Sequence, residues 1–393
     1  MTTRNLWNQI SLVAIAGICA WGCTRTSETP TGMGGAGGDT GIAGATGTGG
    51  GTGCPAPTPS PEATGPGSGT ATVKGPCDIY ADDGGPCVAA HSTIRALYGN
   101  YNGPLYQVRK TDCTAKDIGV VSPGGFANSA EQDAFCGSSA CTISMIYDQS
   151  PQGNHLTKSP PGMAKVTAGN EANAKAISAT FGGNKVYGVH IVPGVGYRNN
   201  QAKGTAMGDE AETEYMIVQG DLYNGGCCFD YGNMERNSAD NGEGTMEAVY
   251  FGNCTIWGKG AENGPWVMGD LENGLWAGNV SPYDDNKPLT FKYVMGMVKG
   301  DVPGANHWTI KIGNAQSGGI IKKPDGKFTF DGPRPNARYN PMRKEGAIGL
   351  GTGGDNSNAA QGNWFEGVMT HHYSSDKADD DVQANIVSIY GQM

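Results

Sequence analysis

The residues best suited to chemistry lie in the stretch Pro265–Gly274, Pro-Trp-Val-Met-Gly-Asp-Leu-Glu-Asn-Gly. Read as a strand, its side chains alternate between two faces. Trp266, Met268, Asp270 and Glu272 then share one face, and Val267, Gly269 and Leu271 the other. The second face is small and apolar, as a core requires. The first carries two carboxylates two residues apart, with an aromatic and a thioether beside them. Like charges so placed repel each other, and a purely structural strand rarely chooses them. A cleft that cuts glycosidic bonds needs carboxylates, flat apolar walls and polar groups for hydroxyls. The alternative is a solvated strand face with no chemistry.

Three other stretches could stand beside it. Cys227-Cys228-Phe229-Asp230-Tyr231-Gly232 holds two adjacent cysteines. Neighbouring α-carbons are about 3.8 Å apart, below the usual disulfide span of about 4.4–6.8 Å. A bond between them would be a strained ring, of the kind that persists where its surroundings enforce it. Such a sulfur platform could press on the apolar face of a sugar. The alternative is that each cysteine bridges elsewhere, to Cys113 or Cys254. Gly349–Asn358 is a glycine-rich turn with one acid, Asp355, whose glycines let the backbone approach a ligand. Calcium loops and plain turns look similar. Trp257, beyond the run Met246–Gly252, could stack on a sugar ring or be an ordinary core tryptophan.

The elements that must position these residues are short and rich in β formers. Leu105–Arg109, Cys141–Tyr147, Lys185–Val192, Glu214–Gln219, Met246–Phe251, Pro265–Leu271, Leu289–Val298, Trp308–Ile312, Lys327–Phe330, Ala347–Leu350 and Phe365–Thr370 read as strands separated by Gly, Asn, Asp and Pro. Many short strands without interleaved helices predict an all-β sandwich or barrel. Helical character is expected over Pro86–Tyr98. A closing helix is expected over Asp379–Tyr390, where Val382, Ile386 and Ile389 fall at helical spacing. Cys77–Tyr80 reads as an edge segment.

Composition sets the address. The chain has 65 Gly, 16% charged residues and a net charge of −10. An acidic chain without basic blocks excludes a nucleic-acid partner. Residues 1–23 read as an export signal, with Arg4 as its positive start, Ile10–Ala20 as its apolar run and Cys23 at its end. A small residue before Cys23 resembles a bacterial lipoprotein cleavage site, so Cys23 is the expected lipid attachment point. Residues 24–75 are Gly, Thr, Ser and Pro with few large apolar side chains, which predicts a flexible tether. The folded domain is expected over 76–393. In an oxidising compartment Cys77–Cys87 and Cys136–Cys141 read as local disulfides, while Cys54, Cys113 and Cys254 have no evident partner. The six His are scattered and no zinc spacing occurs, so no metal is expected.

The runs Cys77–Tyr80, Ala90–Thr93, Arg95–Tyr98, Ile146–Ser150, Gly196–Asn200, Cys227–Asn233, Asp270–Asn273, Lys344–Ile348 and Gly353–Asn358 resemble, in order, the catalytic domain of the glycoside hydrolase family 54 α-L-arabinofuranosidases. The resemblance implies a concanavalin-like β-sandwich with long loops and a short C-terminal helix. It implies hydrolysis with retention and no cofactor, on arabinofuranose-containing plant glycans. By motif, Glu272 corresponds to the nucleophile and Asp355 to the acid/base. Asp270, Asn273, Gly354 and Met246 correspond to substrate-contacting positions, Trp257 to the aromatic wall, and Cys227-Cys228 to a vicinal disulfide under the sugar. A secreted or surface-held monomer is the expectation. Fungal members carry a further arabinose-binding β-trefoil that residues 1–393 do not include, so tight binding to insoluble arabinoxylan is not expected of this segment. A non-catalytic lectin and a glycosidase of another furanose are the competing readings.

Overall fold

A computed structural model describes residues 53–61, 65, 67 and 73–393. The export signal and Cys23 lie outside the described residues, as does most of the stretch expected as a tether. Two antiparallel sheets of seven and ten strands, with a separate two-stranded hairpin (Ser178–Phe181 with Asn184–Tyr187), form a β-sandwich. The core between the sheets is built from alternate side chains. Val249, Val267 and Leu271 enter it from one sheet, and Met216, Val294 and Trp308 from the other. The sheets meet closely where glycines remove the obstacle. A Cβ on Gly269 would stand 2.6 Å from the Trp308 ring, and one on Gly296 would stand 2.8 Å from Val267.

The ten-stranded sheet carries the candidate site. Its strands Leu275–Trp276, Trp266–Asp270, Glu247–Gly252, Asp230–Met234, Ala347–Leu350 and Tyr197–Asn199 lie side by side in that order. Their outward face holds Tyr250, Trp266 and Met268 in one apolar cluster and Met234, Met246, Ala248 and Ala347 in another. The C-terminal helix spans Asp376–Tyr390 and is capped by Ser375, whose Oγ accepts from Ala378 N at 3.2 Å.

Two early assignments are reversed. Pro86–Tyr98 is not a helix: Cys87–Ser92 is a strand paired with Gly362–Thr370, and all six of its residues are buried. A run buried on both faces has no polar stripe for a surface helix to show to water. The helix lies instead over Pro76–Asp82, where an edge segment was expected. Pro76 sits in its first turn, and Asp78 Oδ2 accepts from Gly75 N at 2.8 Å and Gly99 N at 2.7 Å. A further helix, Ser129–Cys136, was not foreseen.

Cys77 pairs with Cys87, Cys136 with Cys141, and Cys227 with its neighbour Cys228. Cys113 pairs with Cys54, across 59 residues. Part of the stretch read as a tether is therefore fastened to the sandwich. Arg109 Nη1 donates to Pro55 O at 2.6 Å, and Ser60 N donates to Tyr147 Oη at 3.1 Å. A segment without large apolar side chains is held here by its backbone and one covalent link rather than by burial.

Candidate active site

The strand Trp266–Asp270 ends at Asp270, two residues short of Glu272. Asp270 pairs with Leu275, and Leu271 N donates to Gly274 O at 3.0 Å, which closes a two-residue hairpin loop on Glu272 and Asn273. Both have left-handed backbones, with φ of 63° and 51°. This is the type I′ geometry that normally selects Asn and Gly. Strand alternation is thus not what brings the two acids together; the turn does. Glu272 N donates to Asp270 Oδ1 at 3.1 Å, and Tyr339 Oη donates to Glu272 O at 3.3 Å. A glutamate at such φ is held against a steric penalty by its surroundings, a recurrent mark of functional sites. Asn273 turns its amide to Asp240, with Nδ2 donating to Oδ1 at 2.8 Å.

Asp355 lies in the loop after the strand Ala347–Leu350. Its Oδ1 accepts from Ser357 N at 2.9 Å, and Gly353 N donates to Ser357 O at 2.8 Å, so the turn closes on itself. The loop crosses the outward face of the sheet. Cys228 N donates to Ser357 O at 3.3 Å, and Ala359 N donates to Cys227 O at 2.9 Å. Arg198 Nη1 donates to Gly353 O at 2.9 Å and Gly354 O at 2.6 Å, and its Nη2 donates to Glu235 O. Gly354 is required by space: a Cβ there would stand 1.5 Å from Glu235 Oε2.

Four carboxyls converge beneath this loop. Asp230 and Glu235 are fully buried, and Asp270 and Glu272 are 6% and 7% exposed. Asp230 lies near enough to Asp270, and Glu235 to Glu272, for each to disfavour the other's charge. Like charges held together out of water push carboxyl pKa values up. Burial, then the neighbouring acids, push Glu272 far above the usual carboxylate range. Burial also raises Asp270, to about 7, although the Glu272 amide favours its charged form. Asp230 is raised by burial and by Asp270. Glu235 is raised by burial, opposed by its bond to Thr245 and by the charge of Arg198. The Arg198 guanidinium, lowered by its own burial, feels Glu235, Asp355 and Glu272 together.

The wall beside this cluster is apolar. Cys227 and Trp257 are half-buried and pack against Cys228, Tyr250, Cys254, Trp266 and Met268. Met246 has no exposed surface and packs with Met234, Ala248 and Ala347 on the outward face of the sheet. Among the described residues, the grouping with metal-ligand reach is Cys227, Cys228 and Asp270. With the two sulfurs joined it offers no thiolate, so it does not fit a metal.

Glu272, Asp270, Asn273, Asp355, Gly354, Cys227, Cys228 and Trp257 therefore lie on connected segments at one region of the sheet. Sequence reasoning missed Glu235, and singled out neither Asp230 nor Arg198 as a site residue. Asp230 and Glu235 bracket one short strand, an acid at each end, and that spacing was the available signal.

The family model for the α-L-arabinofuranosidase B catalytic domain matches residues 76–391. A probable α-L-arabinofuranosidase B of Aspergillus clavatus is 53% identical over 323 residues, covering 80% of this chain and 62% of that protein. The α-L-arabinofuranosidase B of Aspergillus oryzae is 51% identical over 321 residues, with the same coverage. The chain thus spans about 62% of the length of these curated relatives. The solved structure of an arabinofuranosidase complexed with arabinofuranosyl-α-1,2-xylobiose superposes with a TM-score of 0.76 at 48% identity, covering 81% of this chain and 65% of that one. A glycoside hydrolase family 54 α-L-arabinofuranosidase soaked with a cyclic sulfate inhibitor gives the same values. This chain, with its acids gathered on one face of a β-sandwich, belongs to the family of α-L-arabinofuranosidase B catalytic domains.

Proposed function

We propose that the protein is a retaining, exo-acting α-L-arabinofuranosidase that releases terminal L-arabinofuranose from arabinose-containing plant glycans. The observation that carries this reading is the gathering at one end of the sheet of Glu272, in its left-handed turn beside Asp270, and of the Asp355 loop, which the buried Arg198 holds through Gly353 O and Gly354 O. A site that only bound sugar would have no use for acids confined in this way. The arabinofuranosyl xylobiose bound by a relative supports the substrate class.

Glu272 attacks the anomeric carbon as a carboxylate while Asp355 gives its proton to the leaving oxygen. The bond to the aglycone breaks and an ester to Glu272 forms. Asp355 then takes a proton from water as that water displaces Glu272. Asp270 and Asn273 bind ring hydroxyls, with Trp257 and the Cys227–Cys228 pair as the apolar wall. Such a mechanism sets the two reacting carboxyls about 5–5.5 Å apart.

The test is release of 4-nitrophenol from 4-nitrophenyl α-L-arabinofuranoside by the folded, oxidised chain, with the anomer of the product followed by NMR. Turnover with retained configuration is the expected result. No turnover, or inversion, overturns the reading.

We propose further that the chain acts as a monomer outside the cytoplasm, held at the cell surface by lipid on Cys23. The disulfides among the described residues support an oxidising compartment. Loss of membrane association in Cys23→Ala would support the anchor, and unchanged association would refute it.

A further inference from the structure

The loop that carries Asp355 is bonded to two neighbouring segments. One is the cysteine pair: Cys228 N donates to Ser357 O at 3.3 Å, and Ala359 N donates to Cys227 O at 2.9 Å. The other is the run of residues 162–167. Ala164 N donates to Asp355 O at 3.0 Å, and Asn356 Nδ2 donates to Lys165 O at 3.0 Å and Thr167 O at 3.1 Å. Gly162 N donates to Lys165 O at 2.8 Å, which closes a small loop with Met163 and Ala164 at its tip. Met163 N donates to Ser238 O at 2.8 Å and ties that tip to a further segment. A Cβ on Gly162 would stand 2.4 Å from Asp355 O and 2.7 Å from Ser238 O, so glycine permits this close approach.

The backbone of this run is pinned, yet its apolar side chains stand in water. Met163 is 67% exposed and Val166 83%. Single exposed apolar side chains are ordinary on a protein surface. These two lie three residues apart on a segment fastened to the acid/base loop itself. The Lys165 ammonium between them in sequence is turned to Asn358, with Nζ donating to Oδ1 at 3.0 Å. The patch therefore offers apolar contact rather than a charge.

We propose that Met163 and Val166 form the subsite for the aglycone, where they pack on the C–H face of the neutral main-chain pentose that carries the arabinofuranose. The inference rests on the assignment of Asp355 as acid/base. A general acid must come within about 2.6–3.2 Å of the oxygen it protonates. That oxygen belongs to the aglycone, so its first sugar lies against a segment that borders Asp355. The cysteine pair is assigned to the arabinofuranose, which leaves residues 162–167 for the sugar beyond the bond. A thioether is flexible and polarisable and adapts to rings of different shape. A segment already held by hydrogen bonds loses little freedom when it binds. Contact here is remote from the reacting bond and favours glycans over small glycosides.

The experiment measures kcat/KM for the full chain and for the double variant Met163→Ser, Val166→Ser on arabinofuranosyl xylobiose, on a branched arabino-oligosaccharide and on methyl α-L-arabinofuranoside. The methyl glycoside has no aglycone sugar. The ratio of oligosaccharide to methyl glycoside should fall about tenfold in the variant, as loss of a modest apolar contact does. A fall with either oligosaccharide supports the proposal. Met163→Leu, which keeps an apolar side chain of similar volume, should hold the ratio within about twofold of the parent's. An unchanged ratio with both oligosaccharides overturns the proposal, whether or not all the rates drop together. Inactivity of the parent chain on all three substrates would instead defeat the arabinofuranosidase reading.

Discussion

Glu272 N donates to Asp270 Oδ1 at 3.1 Å across a hairpin loop in which Glu272 has a φ of 63°. The bond joins a residue at the end of a regular strand to one in a conformation that a glutamate seldom adopts. It keeps the Asp270 carboxyl beside the Glu272 backbone. The turn, rather than the strand, sets the position of the Glu272 side chain.

Glu272→Gln should lower turnover by roughly 10⁵-fold or more, as removal of a covalent nucleophile does. The amide keeps the size of the carboxyl, and Glu272 N still donates to Asp270, so the melting temperature should stay close to the parent's. The check is 4-nitrophenol release together with thermal unfolding by circular dichroism. Near-parental activity would remove Glu272 from the mechanism.

Asp355→Asn should slow substrates with poor leaving groups about 10²–10⁴-fold, the usual contribution of a general acid. Activated aryl substrates, which need little protonation, should lose much less in the step that forms the ester. Rates on an arabinofuranosylated oligosaccharide and on a dinitrophenyl glycoside make the comparison. Equal loss on both would exclude the acid role.

Gly354→Ala drives a methyl group into Glu235 Oε2, which would stand 1.5 Å from it. The atom it meets is the tip of a buried side chain bonded through Oε1 to Thr245, so either the Glu235 carboxyl or the Asp355 loop must shift. Overpacking of this kind costs about 1–3 kcal/mol. A lowered melting temperature and a lowered kcat should appear together, and a fully active, equally stable variant would show that the loop is free to move.

The Asp230–Asp270 pair should make stability fall as pH rises. An acid whose folded pKa is raised binds its proton more tightly folded than unfolded. Its contribution is full below the unfolded value near about 4 and is lost through the folded value, which for Asp270 is about 7. Asp230→Asn keeps a donor toward Asp270 and removes one buried acid. It should raise the melting temperature at pH 8 by about 2 °C or more, and by less at pH 5. Glu247 has the opposite sign: burial disfavours its charge, but Arg334 and Lys344 outweigh that and hold it down to about 2. Its contribution is lost only as pH falls from about 4 toward 2. A gain in Asp230→Asn that is larger at pH 5 than at pH 8 would contradict the assignment.

Trp257→Ala should raise KM about tenfold with a smaller change in kcat, since a flat wall binds ground and transition states alike. A loss confined to kcat would mean that the ring acts on the reacting centre instead.

Much of this was legible in the chain itself. Alternation of small apolar and polar residues along Pro265–Leu271 fixes which side chains meet the core, because the pleat has a period of two. Val267 and Leu271 enter the main core, while Trp266 and Met268 pack on the outward face. The spacing of Val382, Ile386 and Ile389 likewise defined the closing helix. Local motif chemistry sufficed to single out Asp270, Glu272 and Asp355. It did not suffice for Cys87–Ser92, whose short apolar run fits a helix or a buried strand equally until its neighbour Gly362–Thr370 is known. Nor could it pair Cys54 with Cys113, 59 residues away, or bring Arg198 to Gly353 and Gly354 of the Asp355 loop. Periodicity and turn chemistry are properties of neighbours along the chain, and sequence carries them directly. The meeting of Arg198 with the loop that carries Asp355 is a property of neighbours across strands, and only the packing of the sheet decides it.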